Sequence, residues 1–263
     1  RKELDARVQL VDLRAGRVLF AFPRLVATLW RLRPQVLFST LDHCNLTAIA
    51  AKFLGPRDMK VAIRMANYYS LTYQHLSSRG QWFLTALVKA LYPFADRIIC
   101  PTRDIAQDLE RLLPKRSAAL MEVMPNPVTP SDIQALALAP LPSGPWESGP
   151  FFLAMGRLSP QKDYPTLIRA LALAQDQIPH RLLILGEGSE LPALQKLAQE
   201  LGVGARVLFP GFLKNPFPLL RQSEFLAQSS RYEGFPNVLA QALALGKTVV
   251  ATRCHSGPEE ILA

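Results

Sequence analysis

The 263-residue sequence predicts an α/β protein of two successive domains, each built on a parallel sheet and each incomplete. Three observations lead there. Short apolar or β-branched runs alternate with longer stretches of helical periodicity, and they do so twice over. Strands that are apolar throughout, such as Leu182–Leu185, suit a parallel sheet covered on both faces. Between the two series, residues 125–150 hold seven prolines, a composition that favours an extended connector over a helix or strand. With right-handed crossovers, each alternation makes a doubly wound, Rossmann-like unit. The domains are placed at residues 1–128 and 150–263, with a Pro-rich linker over 129–149.

In the first series the expected strands are Val8–Leu13, Val36–Ser39, Lys60–Arg64, Arg97–Cys100 and Leu120–Met124. Helical patterns fall at Pro23–Leu32, Asn45–Leu54, Trp82–Tyr92 and Thr102–Leu112. Asn45 is a capping-type residue and Gly55 follows the end of its helix, the expected polarity. In the second series the strands are Phe151–Met155, Leu182–Leu185, Arg206–Phe209, Phe225–Ser229 and Thr248–Ala251. Helices are expected at Pro165–Gln175, Ser189–Leu201, near Phe217–Gln222 and at Asn237–Leu245. Leu191, Leu194, Leu197 and Leu201 share one helical face, and Gly202 stops the helix.

Composition removes several function classes. At 49% hydrophobic and 19% charged residues the chain has the makeup of a folded globular protein, and no apolar run approaches the roughly 18–20 residues of a membrane span. The start lacks both Met and an apolar signal core, so the chain reads as cytoplasmic and as a fragment. Cys44, Cys100 and Cys254 are far apart and form no ligand-spaced cluster with the four histidines, which argues against disulfide and zinc sites. The net charge of +9 lies wholly in residues 1–130, with 19 Lys and Arg against 10 Asp and Glu. That asymmetry fits an anionic partner or an ordinary solvated basic surface, and no nucleic-acid recognition motif accompanies it.

In a parallel sheet, ligands gather at the carboxyl ends of the strands. After Met155 comes Gly156-Arg157-Leu158-Ser159-Pro160-Gln161-Lys162, in which two cations bracket a proline turn and can converge on one diphosphate. Taken singly they are equally ordinary loop cations. After Ser229 comes Ser230-Arg231-Tyr232-Glu233-Gly234-Phe235-Pro236-Asn237, running into a helix whose free N–H groups favour an anion. A carboxylate at Glu233 would repel phosphate and so reads better as facing sugar hydroxyls, although a plain helix start explains the same residues. The Gly186-Glu187-Gly188 loop lacks the third glycine and the later acid of a dinucleotide fingerprint, which rules against a nicotinamide cofactor.

These segments together resemble the retaining GT-B-fold glycosyltransferases of the group 1, or family 4, type that build bacterial polysaccharides and glycolipids. The resemblance runs from Phe151 to Leu262, through Gly-Arg-Leu-x-x-x-Lys, Gly-x-Gly, Phe209-Pro210-Gly211-Phe212, the Ser230–Asn237 motif and Ser256-Gly257-Pro258-Glu259-Glu260-Ile261. Residues 35–128 match more loosely, through Ala95-Asp96-Arg97-Ile98-Ile99 and Pro125-Asn126-Pro127-Val128. It implies transfer of a hexose from a nucleotide-diphosphate sugar, UDP- rather than GDP-linked, to a saccharide or lipid-linked acceptor. Glu233 would act catalytically on the transferred sugar. Gly156, Arg157, Lys162, Gly186 and the run Gly234, Phe235, Pro236, Asn237 would hold the donor. The family's second glutamate, which grips the ribose, is replaced here by Gln241, an amide that still hydrogen-bonds but without charge. The resemblance implies no metal and no cofactor beyond the donor, and no Asp-x-Asp pair occurs in the chain. A nucleotide-sugar epimerase or hydrolase of the same fold, or a catalytically silent nucleotide-sugar-binding subunit, are the alternatives.

The first domain should carry the acceptor. His43 and Asn67, beside the ends of its strands, are candidates to orient the acceptor hydroxyl or the leaving phosphate, and His43 fits a helix-capping turn as well. Tyr68, Tyr69, Tyr73, His75 and Trp82, with Arg64 and Arg79, suit either a membrane headgroup interface or a loop over the cleft. With the basic first half, the former would place the protein at the inner face of the plasma membrane.

Overall fold

A computed structural model describes residues 7–15, 18–74, 77–127, 130, 132–141 and 143–262. The chain divides into two compact units, Arg1–Met124 and Pro125–Ala263.

The first unit contains α1 (Val18–Leu32), β1 (Val36–Thr40), α2 (Asp42–Leu54), β2 (Lys60–Arg64), α3 (Tyr69–Thr72), α4 (Ser78–Leu91), β3 (Arg97–Cys100), α5 (Arg103–Leu112) and β4 (Met121–Val123). Its four strands lie side by side in chain order and are all parallel. Alternation decides which residues build the core: Val61, Ile63, Ile98 and Cys100 are fully buried, and Ile49, Val88, Ile105 and Leu109 cover them from α2, α4 and α5. Two helix starts are capped by hydroxyls, and α4 begins at Ser78, four residues ahead of the expected Trp82. Ser77 accepts a bond from Gly80 N at 3.2 Å, and Thr102 accepts one from Ile105 N at 3.3 Å.

Three expectations need correction here. Residues 8–13 form no strand: β2 is the sole partner of β1 among the described residues, and Val8 and Leu10 are exposed. The first helix starts at Val18, so Pro23 lies inside it. The second begins at Asp42, with Leu41 at φ +76°, and Asn45 is a buried interior residue whose amide donates to Arg64 O at 3.1 Å. Asp42, not Asn45, anchors that turn, accepting from Tyr73 Oη at 2.6 Å and Tyr92 Oη at 3.0 Å.

The second unit contains α6 (Ile133–Ala137), β5 (Phe151–Met155), α7 (Tyr164–Leu173), β6 (Arg181–Leu185), α8 (Leu191–Glu200), β7 (Val207–Gly211), α9 (Phe217–Gln222), β8 (Phe225–Gln228), α10 (Asn237–Ala244), β9 (Thr248–Ala251) and α11 (Pro258–Leu262). The sheet order is β7-β6-β5-β8-β9, every pair parallel. Chain direction across the sheet therefore reverses between β5 and β8. Helices on the two sides separate at that line and leave a crevice at the carboxyl ends of those strands. Leu153, Leu183 and Leu226 point into one core layer, while Phe152, Ala154 and Ile184 point into the other, as an all-buried parallel sheet demands.

The proline-rich stretch is not the extended connector its composition suggests. Ile133 and Ala137, four residues apart on α6, are buried against the second unit, and Trp146 is buried with them. Asn215 Nδ2 donates to Leu136 O at 2.8 Å and Gln134 Nε2 to Ala244 O at 3.0 Å. The i, i+4 apolar pair outweighs prolines that fall outside the helix.

Candidate functional site

The loops after β5 and β8 meet at the crevice. Gly156 leaves β5 with φ +152°, and an added Cβ there would lie 3.0 Å from Tyr164 Oη and 3.1 Å from Lys162 Cε. The loop after β6 packs against it: Gly156 N donates to Leu185 O at 2.9 Å, Leu158 N to Glu187 O at 2.9 Å and Glu190 N to Leu158 O at 3.2 Å. Gly186 has φ +139°, and a Cβ on it would stand 2.0 Å from Gly156 O. A Cβ on Gly188 would stand 2.1 Å from Leu158 O. These glycines let two backbones touch, a steric use of the Gly-x-Gly spacing that needs no dinucleotide.

The β8 loop is stitched to this pair. Ser229 Oγ donates to Lys162 O at 2.8 Å, Arg231 N to Gln161 O at 2.9 Å and Gln161 Nε2 to Tyr232 O at 3.0 Å. At the centre, Lys162 Nζ lies 2.7 Å from Glu233 Oε1, and Ser230 Oγ donates to the same oxygen at 2.5 Å. Glu233 is 5% exposed, so its charge is carried in a dry setting that requires a partner. Oε2 has no hydrogen bond among the described residues and is free to accept one. Burial, then the nearby Glu233 carboxylate, pushes the Tyr164 and Tyr232 phenols up, and pushes the Cys254 thiol up to about 11. The Tyr164 hydroxyl is buried with no hydrogen-bond partner among the described residues.

A third segment props the β8 loop from behind. Glu233 N donates to His255 O at 3.1 Å, Ser256 Oγ to Gly234 O at 3.0 Å and Thr252 Oγ1 to Ser230 O at 2.7 Å. Gly257, at φ +92°, passes so close to Pro236 that a Cβ would reach within 2.3 Å of its Cδ. Pro236 is the buried residue just ahead of α10, not its first turn. Asn237 opens the helix and accepts from Asn126 Nδ2 at 2.9 Å. Gln241 follows four residues later on the same face, half-buried. Gly234 is buried and Phe235 half-buried beside them.

The structure thus brings Lys162 and Glu233 into contact, with Gly156, Gly186 and Gly234–Asn237 in the loops around them. Arg157 is exposed and has no ion-pair partner among the described residues. Sequence reasoning missed Ser230, which lay inside the quoted motif, and Tyr164, whose aromatic character reads simply as helix core. In the first unit, His43 is exposed on the first turn of α2 and Asn67 is half-buried after β2. Of the aromatic segment, Tyr69 is buried and Tyr73 is tied to Asp42, whereas Trp82 is 72% exposed; His75 lies outside the described residues.

Residues 142–263 match the family model for glycosyl transferases group 1, and residues 3–132 match that for Glycosyltransferase Family 4. The chain belongs to the group 1 and family 4 glycosyltransferases. Among relatives, this glycosyltransferase chain is 33% identical over 178 residues to an uncharacterized glycosyltransferase of Methanocaldococcus jannaschii, covering 66% of the chain and 44% of that protein. It is 32% identical over 229 residues to the N-acetylgalactosamine-N,N'-diacetylbacillosaminyl-diphospho-undecaprenol 4-alpha-N-acetylgalactosaminyltransferase of Campylobacter jejuni, covering 85% of the chain and 59% of the relative. The chain therefore spans about half the length of these relatives. In fold it resembles Anabaena Alr3699/HepE in complex with UDP-glucose, with a TM-score of 0.72 at 21% identity over 92% of this chain and 65% of that one. The two parallel-sheet units are those of GT-B glycosyltransferases.

Proposed function

We propose that the full-length protein transfers a hexose from a nucleotide-diphosphate sugar, UDP-linked in preference to GDP-linked, to a saccharide or lipid-linked acceptor. The reading rests on one observation: the Lys162 ammonium and the Glu233 carboxylate, from separate loops, meet 2.7 Å apart at the switch point of the second sheet. Opposite charges held side by side suit a substrate with an anionic diphosphate joined to a neutral, hydroxyl-rich sugar. Lys162, with Arg157 reaching in from the rim, faces the diphosphate, and Glu233 accepts from sugar hydroxyls through Oε2. Gly156, Gly186 and the Gly234–Asn237 backbone allow close approach, and Gln241 hydrogen-bonds the ribose. The sugar's anomeric C–O bond to phosphate breaks, a new bond to the acceptor oxygen forms with the configuration retained, and the acceptor hydroxyl's proton passes to an oxygen of the departing diphosphate. The cations stabilise the charge that builds on the departing nucleoside diphosphate. His43 and Asn67 orient the acceptor side. No metal is required, because the two cations supply the positive charge a divalent ion would otherwise bring.

The Campylobacter relative's name specifies a diphospho-undecaprenol acceptor, and the Anabaena structure holds UDP-glucose. The first supports a lipid-linked acceptor and the second a UDP-sugar donor; with such an acceptor the protein would work in the cytoplasm at the inner face of the plasma membrane. A panel of UDP-, GDP- and ADP-sugars offered to the full-length protein with acceptor extract, with and without EDTA, tests the reading. Acceptor-dependent transfer from a UDP-sugar, insensitive to EDTA and giving the donor's anomer by NMR, is the expected result. Absence of any nucleotide binding overturns it.

A further inference from the structure

Tyr164 opens α7 with its ring in the core layer of Phe152, Leu158 and Ile168, and only 3% of the residue is exposed. A phenylalanine would fill that layer equally well. The hydroxyl is the anomaly: it is buried and makes no hydrogen bond among the described residues, a standing cost to the free protein. Asp163, just ahead of it, sits at φ +47° and ψ +44°, in a left-handed conformation that few residues other than glycine adopt. Across that turn Lys162 and Tyr164 bring their side chains to one place. A Cβ on Gly156 would lie 3.0 Å from the phenol oxygen, 3.1 Å from Lys162 Cε and 3.5 Å from its Cδ. The unused hydroxyl therefore flanks the stem of the lysine whose ammonium holds Glu233 at 2.7 Å. Burial first, and then the charge of Glu233, push the phenol's pKa up, so the hydroxyl keeps its proton and can donate it to a hydrogen bond.

We propose that Tyr164 is a positioning residue for Glu233: when the donor's diphosphate draws the Lys162 ammonium away, the Tyr164 hydroxyl turns into the space and donates to the carboxylate in its place. The inference rests on the nucleotide-sugar reading given above. In the free protein Lys162 and Ser230 both serve Glu233 Oε1. An incoming diphosphate competes for that ammonium, and to meet it Lys162 draws back the stem that lies beside Gly156. Without a substitute, Glu233 would be left a buried anion with one hydroxyl donor, and that penalty would offset what the phosphates gain. The Tyr164 hydroxyl has no bond to give up, so the exchange breaks nothing. Held through Oε1, the carboxylate keeps Oε2 available to the sugar.

Titration of the full-length protein with UDP, alongside urea unfolding of the free protein, tests this in Tyr164→Phe, which removes the hydroxyl and keeps the ring. The free variant should unfold at the parent's urea concentration or a higher one, because it loses only an unpaired group. Its UDP affinity should fall about tenfold, the worth of one hydrogen bond to a buried carboxylate. In a Glu233→Gln background the same change should alter UDP affinity by less than about twofold, because no charge is left to support. A role in packing alone would leave UDP affinity unmoved in both backgrounds, and that result overturns the proposal. An equal loss in both also overturns it, by assigning the hydroxyl to the nucleotide itself. So does a free Tyr164→Phe protein that unfolds more easily than the parent, which would mean the hydroxyl already has a partner. In each of these cases the parent still binds UDP and the donor reading stands. A parent that binds no UDP sinks the donor reading and this inference with it.

Discussion

Lys162 Nζ and Glu233 Oε1 stand 2.7 Å apart, joining loops 71 residues distant in sequence across the line where the second sheet reverses direction. The pair is largely shielded from water, with side-chain exposures of 19% and 6%. Lys162→Met strands the carboxylate with Ser230 as its remaining donor and is expected to cost about 1–3 kcal/mol of stability. The Lys162→Met/Glu233→Gln double variant should recover most of that cost, because no buried charge is left unpaired. Neither variant should bind UDP within about tenfold of the parent. Urea titration and calorimetry read the two effects separately, and stability recovered in the double variant with UDP binding still weakened is the expected pattern.

Arg157 behaves differently because no described residue pairs with its charge. Arg157→Ala should leave the unfolding midpoint within about 0.5 kcal/mol of the parent. Its UDP affinity should still fall by about tenfold or more, the worth of one charge-assisted contact. A large change in stability with unchanged UDP binding would contradict the role given to it.

The glycines rank by what their missing side chain avoids. Gly186→Ala forces both a positive φ and a contact near 2.0 Å with backbone, so a loss above about 2 kcal/mol is expected. Gly202→Ala shares the positive φ but meets nothing within 4 Å, and should cost only about 1–2 kcal/mol. Thermal unfolding of the two variants gives the order.

Gln241→Glu adds a charge at a half-buried position on α10, four residues past Asn237. If the amide grips the ribose, the carboxylate should tighten UDP binding by about fivefold through a charge-assisted bond. Calorimetry showing no change would remove residue 241 from the donor contacts.

Cys254 and Cys100 place a limit on alkaline stability. Burial raises their thiols from 9.0 to about 11 and about 12, with Glu233 adding to the first and Glu110 to the second. A raised acid keeps its proton longer in the folded state, so its contribution is complete below pH 9 and is lost as pH rises through the folded values. Stability should therefore decline from pH 9 toward pH 12, and Cys254→Ser should flatten the part between 9 and 11. Iodoacetamide should label Cys254 slowly at pH 8.

Periodicity alone was enough to read the five strands of the second sheet, because an all-buried parallel strand is apolar at every position and few other segments are. The residues of the candidate donor site were legible for a related reason: they fall at strand ends, where the glycines and charges of a ligand loop stand out against apolar neighbours. Partners were not legible. Residues 8–13 have a strand's composition, but a strand exists only when another backbone offers its hydrogen bonds. Asn45 has the chemistry of a cap, yet two distant tyrosines hold Asp42 and move the helix start three residues earlier. The proline-rich stretch hid a helix because Ile133 and Ala137 are worth burying only where the second unit's core stands ready for them. The same limit applied at the site, where sequence supplied the cation and the carboxylate as separate motifs. Their contact is long-range, set by the order of strands in the sheet, and only the folded chain decides that order.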